Sequence, residues 1–78
     1  MPRPKRQVTV FAPALKALRA EQHLSQKQLA VLTNHQVSAA MIAFIELGKR
    51  QPSLPNAQAL ADALGVPLNQ IALVERAA

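Results

Sequence analysis

The chain has no cysteine, tryptophan or tyrosine, and only two phenylalanines, two glycines and four acidic residues in 78. Without cysteine there is no disulfide, no thiolate nucleophile and no thiolate zinc site. His23 and His35 stand twelve residues apart with no partner cluster, a spacing that does not suit metal ligation, so neither metal nor cofactor is expected. Four acids and two scattered glycines supply no carboxylate dyad, no nucleophile–base pair and no glycine-rich phosphate loop, so no enzyme is expected. No apolar run approaches the roughly 20 residues that cross a membrane. The basic N-terminus is not followed by the apolar stretch of a secretory signal, which makes the cytoplasm the expected location.

Half of the residues are apolar, and with so few aromatics the core must be built from Leu, Ile, Val, Met and Ala. Such a composition favours helices over strands, in one domain close to the lower size limit for a self-sufficient core. The net charge is +5 and uneven. Eight of the nine Lys and Arg fall within residues 1–50 with two acids, Glu21 and Glu46, whereas residues 51–78 hold Arg76 against Asp62 and Glu75. A basic N-terminal two-thirds is what a phosphate-binding surface looks like, although a merely solubilising surface would give the same count.

Along the chain, Pro2 and Pro4 exclude a helix, and Arg3, Lys5 and Arg6 make a short basic arm, residues 1–11. Val8-Thr9-Val10 is β-type but too short for an independent strand; it can add to the edge of a second copy or lie over the core. A first helix starts near Ala12 or Pro13, because proline suits a first turn, with Leu15 and Leu18 on one face. Ser25 with Gln28 three residues on forms a capping box, so a second helix opens at Gln26 and runs to Leu32 or Thr33. Asn34-His35-Gln36-Val37 is a turn. Ser38 caps a third helix with Ile42 and Ile45 inward, and Gly48 ends it. Ser53 caps a fourth helix, with Leu54, Ala57, Leu60, Ala61 and Leu64 as its buried stripe, and Gly65 stops it. Val66-Pro67 leads into an expected fifth helix on which Leu68, Ile71 and Val74 pack. No sheet is expected; residues 12–75 read as one domain and 76–78 as a tail.

Leu15-Lys16-x-Leu18-Arg19, Leu24-Ser25-Gln26-x-x-Leu29-Ala30, Ile45-Glu46-x-Gly48-Lys49-Arg50, Pro52-Ser53-Leu54 and Leu60-Ala61-x-x-Leu64-Gly65-Val66 occur in that order. Together they resemble the phage repressor/Cro-type (XRE-like) helix-turn-helix family. The resemblance spans residues 15 to 73 and implies a compact all-α, five-helix, lambda-repressor-like domain, here with a basic N-terminal arm. It implies a sequence-specific transcriptional regulator, a repressor by preference, that binds a palindromic stretch of double-stranded DNA as a homodimer. On this pattern Gln26 and the neighbouring helix N-terminus with Lys27 meet a phosphate. Ser38, Ala39, Ala40 and Phe44 face the major groove, and Lys49 and Arg50 approach the backbone. Arg19 and Glu46 resemble a structural pair that joins helix 1 to the end of helix 3.

The chain departs from the family pattern in two ways. The segment between Ala30 and Ile45 is two residues longer than usual. Either Asn34 ends helix 2 in the left-handed region and His35-Gln36 lengthen the turn, or helix 2 gains half a turn. The reading face is also poor in the Arg, Lys, Asn or Gln that bond to base edges. Alanines and Phe44 can meet thymine methyls, and Gln36 or His35 on the longer turn can add hydrogen bonds. Phe44 fits a groove contact, a core site or a protein interface. The competing function is therefore a protein-interaction module, an antitoxin or regulator partner, that docks through an apolar helix 3. Arg3, Lys5 and Arg6 can follow the DNA backbone or enter the minor groove, or remain an unstructured tail without DNA.

Overall fold

The computed structural model of the chain describes residues 6–76. Strand β1 (Arg6–Val10) leads into helix α1 (Ala12–Glu21), followed by α2 (Gln26–Leu32), α3 (Ala39–Glu46) and α4 (Leu54–Leu64). A single 3-10 turn (Leu68–Gln70) then delivers strand β2 (Ala72–Arg76).

Local chemistry accounts for the helix boundaries. Pro13 lies in the first turn of α1. The Ser25 hydroxyl accepts the Gln28 N–H while the Gln28 side chain accepts the Ser25 N–H, closing the capping box of α2. Ser38 and Ser53 accept the N–H groups of Met41 and Asn56 and so cap α3 and α4. Gly65, at φ +71, ends α4 in the left-handed region, where a side chain is strained. Leu15, Leu29, Ile42, Leu60 and Ile71 are wholly buried, with Val37 and Ile45 nearly so. The core is thus aliphatic, and one residue of the α2–α3 turn belongs to it. Among the described residues no helix is long and apolar enough to cross a membrane.

The two ends of the domain differ from the sequence expectation. Among the described residues there is no fifth α-helix and the fold is not sheet-free: four α-helices are joined by a two-stranded antiparallel sheet, β1 with β2. Val8 faces Val74, Thr9 faces Leu73 and Val10 faces Ala72. Val8, Val10 and Ala72 are buried and Val74 packs on the core, whereas Leu73 is about half exposed. That is the two-residue alternation of a strand with one covered face. Ile71, Leu73 and Val74 form a short apolar run, which periodicity cannot assign between helix and strand. The β-branched partner 66 residues upstream, invisible to any local window, decides it. Residues 6–10 of the expected arm are therefore a paired strand, with the Val10 N–H donating to Gln51 Oε1 at 2.7 Å. Arg3 and Lys5 lie outside the described residues.

The additional length between α2 and α3 falls in the turn, and α2 stops at Leu32. Asn34 and His35 both take left-handed φ, +57 and +61, and the His35 N–H reaches back to the Ala30 carbonyl at 3.0 Å. Two successive non-glycine residues in that region each carry a steric cost, so something must hold the turn closed. Thr33 does so. Its buried hydroxyl donates to the Ala30 carbonyl at 2.7 Å and accepts the Val37 N–H at 3.2 Å. Thr33→Val would strand that buried N–H, so we expect a loss of about 1–3 kcal/mol in urea unfolding. An unchanged midpoint would remove the hydroxyl from this account.

Candidate nucleic-acid interface

Helix α3 turns Ile42 and Ile45 into the core and Ala40, Phe44 and Leu47, at spacings of four and three, to solvent. Phe44 is 44% and Leu47 66% exposed, so the outer side of the helix is an apolar stripe. Ser38 and Ala39 begin the helix, but the Ser38 hydroxyl is already engaged as acceptor of the Met41 N–H at 3.1 Å. Polar reading groups on the helix itself are therefore scarce.

Charge surrounds the stripe. Lys27, in the first turn of α2, and Lys49 and Arg50, after α3, are exposed. The Arg50 guanidinium lies 5.8 Å from the centre of the Phe44 ring, over its face. Glu46, the acid nearest in sequence, is withdrawn from solvent. Its side chain is 4% exposed, with Oε2 2.7 Å from Arg19 Nε and Oε1 2.9 Å from Nη2. Arg19 also donates to the Leu24 carbonyl at 2.8 Å, just before the cap of α2. Burial alone would raise the Glu46 pKa. The hydrogen bonds from Arg19 and Gln26 and the charges of Arg19 and Lys16 outweigh it and hold the carboxyl below its usual range. Glu46 thus offers no free carboxylate to the cations around α3.

Several expected contact residues have structural partners. The Gln26 amide, placed by sequence at a phosphate, donates to Glu46 Oε1 at 3.2 Å and so joins the ion pair. Gln36 does not stand free on the longer turn: its amide reaches Asn56 Oδ1 at 3.2 Å and the Pro55 carbonyl at 3.3 Å, both in the first turn of α4. His35 instead lines an apolar-walled groove of about 450 Å³ with Lys27, Ala30, Val31, Ser38 and Ala39, between α2 and the start of α3. Arg6 enters β1 as its first residue. Sequence reasoning overlooked Leu47, although its place three residues after Phe44 put it on the same stripe. It also gave no role to Lys16, one helical turn before Arg19, whose charge helps to lower the Glu46 pKa. Among the described residues no group of three His, Cys, Asp or Glu is placed to hold a metal ion.

Comparison with known proteins matches this arrangement to the helix-turn-helix family model over residues 15–71. The chain belongs to the XRE-type helix-turn-helix family. Its α2–turn–α3 unit is the family's motif, and the protein is a DNA-binding transcription regulator. A similar solved structure is the restriction-modification controller protein C.AhdI from Aeromonas hydrophila. It is 33% identical, with a TM-score of 0.71, over 77% of this chain and 88% of that one. The comparison with curated protein sequences gave no match.

Proposed function

We propose that this regulator is a sequence-specific repressor that binds a palindromic operator as a homodimer. The observation that carries the reading is the solvent-facing stripe of α3 framed by Lys27, Lys49 and Arg50, with Glu46 withdrawn into its pair with Arg19. In this reading Ala39, Ala40 and Phe44 enter the major groove and Ser38 stands at its edge. Lys27, Lys49 and the α2 terminus with Gln26 approach phosphates, and Arg3, Lys5 and Arg6 add charge from the N-terminal end. Gln36 acts through the turn it ties to α4. Occlusion of a promoter requires neither catalysis nor a cofactor.

One recognition helix reads only a few base pairs, so two copies about one DNA turn apart are the geometric solution. Each strand of the sheet has one edge without a strand partner among the described residues. At the β2 edge a shallow cleft is lined by Pro67, Leu68, Ala72, Leu73 and Val74. An antiparallel pairing of β2 with β2 of a second copy obeys a two-fold axis and covers Leu73. The 33% identity with a restriction-modification controller favours that setting over a phage repressor or an antitoxin.

The test is selection of bound duplexes from random DNA, with sedimentation analysis of the winning complex. A palindromic winner carrying two copies is expected. If nothing is enriched, the stripe of α3 serves a protein partner, which is the reading its exposed Phe44 and Leu47 also support.

A further inference from the structure

Resting on the DNA-binding reading above, we propose that Arg50, although it belongs to the loop after α3, is the interface's guanine-reading side chain, and that Phe44 is the residue that positions it. Helix α3 enters the groove with almost no hydrogen-bonding groups of its own. Its outer stripe is Ala40, Phe44 and Leu47, and the Ser38 hydroxyl is engaged in capping. The guanidinium carbon, 5.8 Å over the centre of the Phe44 ring, brings a five-donor planar group from the loop back onto that stripe. The Phe44 ring attracts the guanidinium charge and uses none of its N–H donors. Among the described residues Arg50 has no salt bridge, and its side chain donates no hydrogen bond within the protein.

A guanidinium drawn to the ring face keeps its donor fork free for a bidentate acceptor. In the major groove that acceptor is the O6/N7 edge of guanine. A backbone phosphate offers similar chemistry, but the neighbouring Lys49, an exposed and unstacked point charge, suits that role. Phe44 therefore does two things. Its ring fills the groove against apolar base surface, and its face fixes the direction of Arg50.

The experiment measures dissociation constants for the selected duplex and for duplexes with each G·C pair replaced in turn, at several salt concentrations. For the unaltered protein one G·C replacement is expected to weaken binding about 10- to 100-fold. Arg50→Lys keeps the charge and the salt slope but should reduce that penalty to about twofold. Phe44→Leu keeps apolar cover, and should erase the same penalty while adding little to Arg50→Lys in the double variant. Lys49→Ala should weaken all duplexes equally and lower the slope by about 0.9 per subunit. If Arg50→Lys retains the guanine penalty, Arg50 contacts phosphate and the proposal fails. If Phe44→Leu retains it while remaining folded by circular dichroism, the positioning role fails. If the unaltered protein binds no duplex, the DNA reading itself fails, and this inference with it.

Discussion

Glu46→Ala lowers the unfolding free energy by about 2–3 kcal/mol, and Tm by roughly 10–20 °C for a domain of this size. The reason is what remains behind. Arg19, with only 16% of its side chain exposed, would keep its charge and its bond to the Leu24 carbonyl but lose both carboxylate oxygens. Gln26 would lose its partner as well. Three elements meet at this point: α1 through Arg19, the start of α2 through Gln26 and Leu24, and the end of α3 through Glu46. The residual exposure of Arg19 keeps the expected loss below that of a fully buried pair. Below the melting transition DNA affinity should fall far less than stability, because only Gln26 of these groups is assigned to a phosphate and none lies on the outer stripe of α3. Thermal unfolding of Glu46→Ala at the unaltered midpoint would contradict the structural role.

The same pair sets a dependence on pH. The Glu46 carboxyl titrates below its unfolded value, so its contribution is complete above the ordinary carboxylate range, near pH 4.3 and upward. It is lost as pH falls through the lower, folded-state value. Glu46→Ala should therefore show a shallower loss of stability in acid than the unaltered protein. Parallel acid profiles would mean that other carboxyls carry the effect.

Raising salt from about 50 to 200 mM should weaken operator binding about a thousandfold or more, with a log–log slope of roughly −5 to −10 for a dimer. The expectation counts Arg3, Lys5, Arg6, Lys27 and Lys49 once in each copy, with Arg50 assigned to a base edge. Each phosphate neutralised releases condensed counterions, at about 0.9 per contact. Titration by fluorescence anisotropy at four salt concentrations measures the slope directly. A slope near zero would leave the exposed cations around α3 without a phosphate partner, and would turn the search towards a protein that covers Phe44 and Leu47.

By itself the sequence determined the helical framework and the family. Ser25, Ser38 and Ser53 cap helices through hydroxyl groups within three residues of their targets, and Gly65 ends a helix by its own φ, so these signals are local and readable. The pairing of Arg19 with Glu46 also followed, through the family pattern, and the structure contains it. Tertiary structure decided the rest. Residues 72–76 became a strand because Val8 and Val10, more than sixty positions away, offered a ladder that a short isolated helix could not match. The extra turn residues stayed out of α2 because Thr33 and Val37 are buried together beneath them. Gln36 was drawn to α4, and Arg50 to the face of Phe44, because a side chain's partner depends on which surfaces the fold brings within a few ångströms. Charge and capping act over a few residues and are written in order along the chain, whereas contacts between distant segments exist only after the core has formed.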